Sequence, residues 1–323
     1  MCTAISYKNG SHYFGRNLDL YYSYNETVTV TPRNYPFVFR NMPTVDRHYA
    51  MIGMATVVDG YPLYYEATNE AGLSVTGLNF PGNVVYQPCK DGLCNVAPFE
   101  FIPWVLGQCG NIWEARQLLA NANVTDESFS KNYPLTPLHF MISDKESSIV
   151  AEPMADGLKV HDNPVGVLTN NPPFDYHMLN LQNYMGVSAM PPKNRFSDKL
   201  DMKPFSLGMG SIGLPGDMSS PSRFVRAAFV LHNSVASQSE EDCVSQFFHI
   251  LSSVAQPNGC TGVDGKFEYT MYSSCCNTDT GVYYYTTYNN RGISAVHMKR
   301  CDPFGDKVIV FPLMKKPNVL WQN

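Results

Sequence analysis

The chain has 323 residues, of which 44% are hydrophobic and 16% charged, with 23 basic and 28 acidic side chains and a net charge of −5. That balance suits a folded globule and argues against a nucleic-acid binder, which would carry a basic patch. No apolar run approaches ~20 residues, so nothing reads as a membrane span. The chain does not open with a charged n-region and an apolar h-region, which predicts a cytoplasmic location. The nine cysteines then read as free thiols. With no C-x-x-C or H-x-x-x-H spacing, they predict no metal and no cofactor.

The first twenty residues are MCTAISYKNGSHYFGRNLDL. Asn9-Gly10 lies between two runs of strand formers and is a strong hairpin signal. A two-residue turn there pairs Lys8 with Ser11 and, counting back, Cys2 with Asn17. Arg16 and Asp19 then return beside the N-terminus; a one-residue slip would change which side chain faces Cys2. The TVTVT run at 27–31 alternates as a strand closed by Pro32. Residues 49–58 predict a buried strand, Asp59-Gly60-Tyr61-Pro62 a turn, and 63–67 and 73–78 strands around the turn at 69–72. The connections are too short for crossover helices, so the meander is antiparallel.

Helices are predicted over 98–109, with Pro103 bending or delaying the first, and over 112–121, with Asn111 as N-cap. Residues 122–137 read as a long loop. Strands follow at 138–143, 148–151, 158–161 and 166–169, then a helix at 175–184. The Pro-rich stretch 185–207 reads as a projecting excursion. Gly208-Met209-Gly210-Ser211-Ile212-Gly213 matches a dinucleotide fingerprint in letters only, because no strand precedes it and Leu214-Pro215-Gly216 blocks the helix. Two helices (223–233, and 240–255 capped by Ser239) precede strands at 267–273, 282–288, 293–298 and 307–311. The whole predicts one layered α+β domain over 1–323, two antiparallel sheets covered by helices on both outer faces.

Chemistry concentrates at the start. Met1 precedes a small residue, and its removal places a thiol and a free α-amine on Cys2. Such an amine, titrating near ~8 beside a thiol near ~8.5, can act as general base for its own side chain. MCTAI followed by FGRNLDL resembles the opening of the choloylglycine hydrolase family, the bile salt hydrolases and penicillin V acylases. Further motifs extend the resemblance along most of the chain. They are Asn69-Glu70-Ala71-Gly72-Leu73 running on to Gly77-Leu78-Asn79-Phe80-Pro81-Gly82, Val167-Leu168-Thr169-Asn170-Asn171-Pro172, Gly213-Leu214-Pro215-Gly216-Asp217 before Ser222-Arg223-Phe224, and Phe247-Phe248-His249-Ile250-Leu251.

The resemblance implies the four-layer αββα fold of N-terminal nucleophile hydrolases, with Cys2 attacking an amide carbonyl. It implies that Arg16 favours the thiolate and that Asp19 holds the α-amine. The Asn79 backbone N–H and the Asn170 side chain become oxyanion donors, with Thr169-Asn170 favouring Asn170 over Asn171, and Arg223 supports the nucleophile's surroundings. Asn79, where penicillin V acylases often have Tyr, points to the bile salt hydrolase branch. The substrate is then a glycine- or taurine-conjugated bile salt. Leu18, Leu20, Tyr22, Val58, Tyr65, Phe129, Tyr133 and Leu135 would line its pocket. A homotetramer is implied as well, with 185–207 as a contact. Each residue alone has an ordinary alternative: a strand-end charge, a turn-forming Asn, a loop-anchoring hydrophobe. Penicillin V acylase is the alternative activity. A non-catalytic steroid binder would not need Cys2, Arg16 and Asp19 together.

Overall fold

The computed structural model describes residues 1–323. Strands β1 (Cys2–Asn9) and β2 (Ser11–Leu20) form the opening hairpin. Gly10 alone turns it, at a φ of 72° that favours glycine, so Asn9 faces Ser11 and Cys2 faces Leu18. The expected pairing of Lys8 with Ser11 and Cys2 with Asn17 is therefore off by one. A slip of one exchanges the faces of a strand. Arg16, opposite Ala4, joins the face of Cys2, and Asp19 goes to the other.

Strands β3 (Thr27–Thr31), β4 (Met51–Val58), β5 (Tyr61–Asn69) and β6 (Ser74–Asn79) continue the meander. Asp59 and Gly60, both at positive φ, make the β4–β5 turn by themselves. Pro62 thus lies inside β5, contrary to expectation. It is tolerated because β6 pairs only with Glu66–Thr68, leaving β5 one free edge near its start.

Short strands β7 (Cys94–Val96) and β8 (Ala122–Val124) pair in parallel, so the expected loop at 122–137 opens with a strand. Between them lie α1 (Phe101–Gln108), which keeps Pro103 in its first turn, and α2 (Ile112–Leu119). The Asn111 side chain caps α2 by accepting the Glu114 N–H at 3.0 Å. Next come β9 (Leu138–Ser143), β10 (Ser148–Met154), β11 (Gly157–Asp162), β12 (Val167–Leu168) and α3 (Phe174–Leu181). No helix or strand lies within 185–207, and Met209–Ser211 is a single 3-10 turn. Helix α4 (Ser220–Asn233) starts earlier than expected because Ser219 caps it and Pro221 suits its first turn. Helix α5 (Glu240–Ser252) is capped by Ser239. The ribbon β13 (Gly262–Val263) and β14 (Lys266–Phe267) leads to β15 (Tyr269–Asn277), β16 (Val282–Thr287), β17 (Ser294–His297) and β18 (Ile309–Pro312).

Two antiparallel sheets result: six strands in the order β12-β1-β2-β15-β16-β17, and eight in the order β11-β10-β9-β6-β5-β4-β3-β18. One apolar core joins α4 and α5 to the first sheet and the first sheet to the second, through residues such as Phe247, Ile5, Met54 and Met141. Another packs α1 and α2 on the outer face of the second sheet, through Phe101, Val105, Ala115 and Phe140. The layers are helix, sheet, sheet, helix, the αββα arrangement of N-terminal nucleophile hydrolases. No helix is long and apolar enough to cross a membrane.

Candidate active site

Cys2 is buried on β1 and opens onto a cavity of about 350 Å³ at one end of the two-sheet sandwich. Arg16 and Leu18 share its face of the hairpin and line the same cavity. The Arg16 guanidinium reaches across to the second sheet. Its Nη1 donates to the Gly77 carbonyl at 2.6 Å, Thr76 Oγ1 at 3.0 Å and the Tyr65 carbonyl at 3.2 Å. Burial works against this charge, but Cys2, Tyr272 and Glu66 around it outweigh burial and hold its pKa above the ordinary value.

Glu66, which had no marker in the sequence beyond an acid inside an apolar strand, lies 3.9 Å from Arg16 Nε. It accepts the hydroxyls of Tyr272, Ser274 and Tyr283 at 2.8, 2.9 and 2.5 Å. Burial raises its pKa, with Arg16 and those hydroxyls opposing. The first sheet thus supplies every donor that solvates this carboxylate of the second.

The rear face of the hairpin carries the other polar groups. Asp19 is fully buried; Thr270 Oγ1 donates to its Oδ1 at 2.7 Å, and its Oδ2 has no partner. Burial raises its pKa, opposed by the terminal ammonium, Arg223, Thr270 and Arg16. Arg223, in the first turn of α4, donates to the Cys2 carbonyl at 2.5 Å, Thr3 Oγ1 at 2.7 Å and Asn170 Oδ1 at 2.7 Å. Burial lowers its pKa, and Asp19, Cys2 and Glu268 offset part of that.

Asn170 joins the two sides. Its Oδ1 accepts the Cys2 N–H at 2.7 Å as well as Arg223, and its Nδ2 donates to the Asn79 carbonyl at 2.7 Å. Two obligate donors on one atom and an obligate acceptor at the other orient this amide. Phe80 donates its N–H to Pro137 on the β9 side, and neighbouring strand amides point to opposite edges. The Asn79 N–H therefore points to the edge β5 has left, beside Asn170. Asn171 turns away, donating to Pro81 and Asn83.

The remaining expectations divide. Leu18, Leu20, Tyr22, Tyr65, Phe129, Tyr133 and Leu135 line the cavity. Val58 does not: it ends β4 opposite Tyr61, two residues beyond the Thr56–Leu63 pair that lines the cavity. Leu63, Phe99, Pro134, Thr136 and Glu268 line it unforeseen, because loops distant in sequence converge there. Glu268 pairs with the Met1 ammonium, which also donates to the Asp19 carbonyl at 3.1 Å. Three other clefts of about 570–730 Å³ are lined mostly by polar residues and do not reach Cys2. No cluster of three or more His, Cys, Asp or Glu side chains could hold a metal ion.

The arrangement is a thiol beside a buried cation and convergent amides. The family model described as linear amide C–N hydrolases, choloylglycine hydrolase family, matches residues 2–303. The chain belongs to this family. It is 52% identical over 314 residues to a bile salt hydrolase/transferase of Lactiplantibacillus plantarum, covering 97% of each chain. A crystal structure of a variant of conjugated bile acid hydrolase from Clostridium perfringens superposes with a TM-score of 0.92 at 37% identity, covering 100% of both chains. Penicillin V acylase from Agrobacterium tumefaciens shares the fold, with a TM-score of 0.76 at 18% identity, covering 98% of this chain and 94% of that one. As a member of the choloylglycine hydrolase family, the chain is a hydrolase of linear amides.

Proposed function

We propose that this chain is a bile salt hydrolase that cleaves the amide joining a steroid acid to glycine or taurine. The observation that carries this reading is a thiol opening onto a cavity whose walls are mostly apolar and aromatic. A rigid steroid suits such walls, with few polar groups needed to orient it. The identities of the relatives support the same substrate class.

In the proposed mechanism Met1 is removed and the Cys2 α-amine becomes the general base. Asn170 Oδ1, already on that nitrogen at 2.7 Å, holds the amine, and the unpartnered Asp19 Oδ2 offers it a second acceptor. Arg16 favours the thiolate. As Cys2 attacks, the Asn170 side chain and the Asn79 N–H receive the oxyanion; losing one such donor costs about 3 kcal/mol. The amine protonates the leaving nitrogen and then activates water against the thioester. Arg223 acts from behind by fixing Cys2, Thr3 and Asn170. No cofactor enters.

Two further readings belong here. The chain works in the cytoplasm. It assembles as a homotetramer, with 185–207 as a contact; Met185, Met190, Phe196, Phe205 and Leu207 on that excursion are exposed, which favours a partner surface. The test of function is a side-by-side assay of glycocholate, taurocholate and penicillin V. The bile salts should be hydrolysed faster; faster penicillin V hydrolysis would move the assignment to the acylases and leave the thiol mechanism standing.

A further inference from the structure

Three polar side chains grip the backbone around Asn170. His139 Nε2 donates to the Thr169 carbonyl at 2.9 Å, and His177 Nε2 donates to the Asn170 carbonyl at 2.9 Å. Ser220 Oγ accepts the Asn170 N–H at 2.8 Å and donates to Thr169 Oγ1 at 2.9 Å, while Thr169 Oγ1 donates to the Ser220 carbonyl at 3.1 Å.

Each histidine also stacks on a phenylalanine adjacent in sequence to a site residue. His139 lies parallel to Phe80, which follows Asn79, with centroids 4.2 Å apart and planes 6° apart. His177 lies on Phe224, which follows Arg223, at 4.8 Å and 18°. Both imidazoles are buried. His139 is braced further by Glu152, whose Oε1 is 3.0 Å from Nδ1 and which also accepts the Phe174 N–H. Burial lowers the His177 pKa to about 4, so at neutral pH the ring is uncharged, its single N–H faces an obligate acceptor, and Nδ1 is left without a partner.

We infer that His139 and His177 are positioning residues: they bolt the Asn79 strand end and the start of α4 to the Thr169–Asn170 backbone, so that the Asn170 amide is held where the oxyanion forms. This rests on the reading of Asn170 as an oxyanion donor. Three segments about 90 and 50 residues away from one another must agree in position to well under 1 Å for such a donor to act. Neither histidine reaches the cavity, and the two act only through what they hold.

The experiment compares His177→Leu, His177→Gln, Ser220→Ala and Asn170→Ala in the full chain with glycocholate, alongside the rate at which iodoacetamide alkylates Cys2. Alkylation displaces iodide and forms no oxyanion, so it reads the thiol and its amine without reading oxyanion stabilisation. His177→Leu should lower kcat about tenfold or more, with KM within about twofold and the alkylation rate falling far less than kcat. His177→Gln, which keeps an N–H donor, should recover much of the loss. Ser220→Ala should show a smaller fall of the same kind. Adding His177→Leu to Asn170→Ala should cost almost nothing more, since the histidine acts through that amide. A folded His177→Leu with normal kcat, or one whose alkylation falls in step with kcat, overturns the inference. If His177→Leu does not fold, Ser220→Ala and His177→Gln decide it, and an unchanged kcat in Ser220→Ala overturns it. Full activity in Asn170→Ala would instead overturn the oxyanion reading beneath it.

Discussion

Two arginines flank Cys2, and both are fully buried, yet they sit in opposite environments. Arg16 reaches through the hairpin's front face into the cavity wall, where Cys2, Tyr272 and Glu66 raise its pKa against burial. Arg223 sits behind, and burial lowers its pKa because the neighbouring charges compensate less. Arg223 donates to four neutral oxygens, the Cys2 and Met218 carbonyls, Thr3 Oγ1 and Asn170 Oδ1; Arg16 also donates to neutral oxygens but has the Glu66 carboxylate 3.9 Å away. A buried charge beside the thiol and a carboxylate tunes chemistry; a buried charge spent on the oxygens around the thiol's backbone fixes geometry. The difference follows from which face of β2 and which helix each side chain leaves.

Removing the nucleophile sets the baseline. Cys2→Ala should abolish turnover and leave the far-UV spectrum and bile-salt binding intact, since one sulfur is a small packing loss; substantial remaining activity sinks the mechanism. Removing the cations should then separate them. Arg16→Gln should slow both kcat and iodoacetamide alkylation of Cys2. Arg223→Gln should cut kcat on the order of 100-fold while alkylation changes far less. Equal alkylation losses in the two variants would erase the distinction. Each should also unfold more readily, by about 3–5 kcal/mol where a buried partner is stranded, which urea titration reads.

Two buried imidazoles, His177 beside the Asn170 backbone and His12 on β2, share a pH signature. His12 and His177 are held near a pKa of about 4 by burial, below the unfolded value of about 6.5. The unfolded chain therefore binds more protons below pH 6.5. The stability these rings contribute is fully present above that pH and is lost as pH falls toward 4, by up to about 3 kcal/mol each. Melting temperature should fall with pH in that window, and His177→Gln should flatten the slope. A slope unchanged in that variant counts against a neutral, buried His177.

The smallest effects test the cavity wall. Phe129→Ala should cost about 1–3 kcal/mol in kcat/KM for glycocholate. Val58→Ala should change it by less than about 0.5 kcal/mol, because Val58 does not line the cavity. A larger effect at Val58 than at Phe129 would mean that the substrate lies elsewhere.

Much of this molecule was legible before folding. Period-two alternation in TVTVT, the Asn9-Gly10 turn, and the caps at Asn111 and Ser239 are local signals, and each produced its element. The motif set around Cys2, Arg16, Asp19, Asn79, Asn170 and Arg223 carried the family. What the tertiary structure alone decided was register and convergence. A turn one residue tighter than expected placed Arg16, and not Asp19, on the face of Cys2, because strand faces alternate with period two and propensity is blind to a shift of one. Glu66 was a charge inside an apolar strand until Tyr272, Ser274 and Tyr283 of the other sheet solvated it. His139 and His177 carry no mark in the sequence, since their acceptors are backbone carbonyls that no side-chain pattern signals. Cavity membership was settled by loops far apart in sequence, which admitted Phe99 and Glu268 and left Val58 out. Local propensity acts within a few residues, whereas a site is assembled from contacts that only packing brings together.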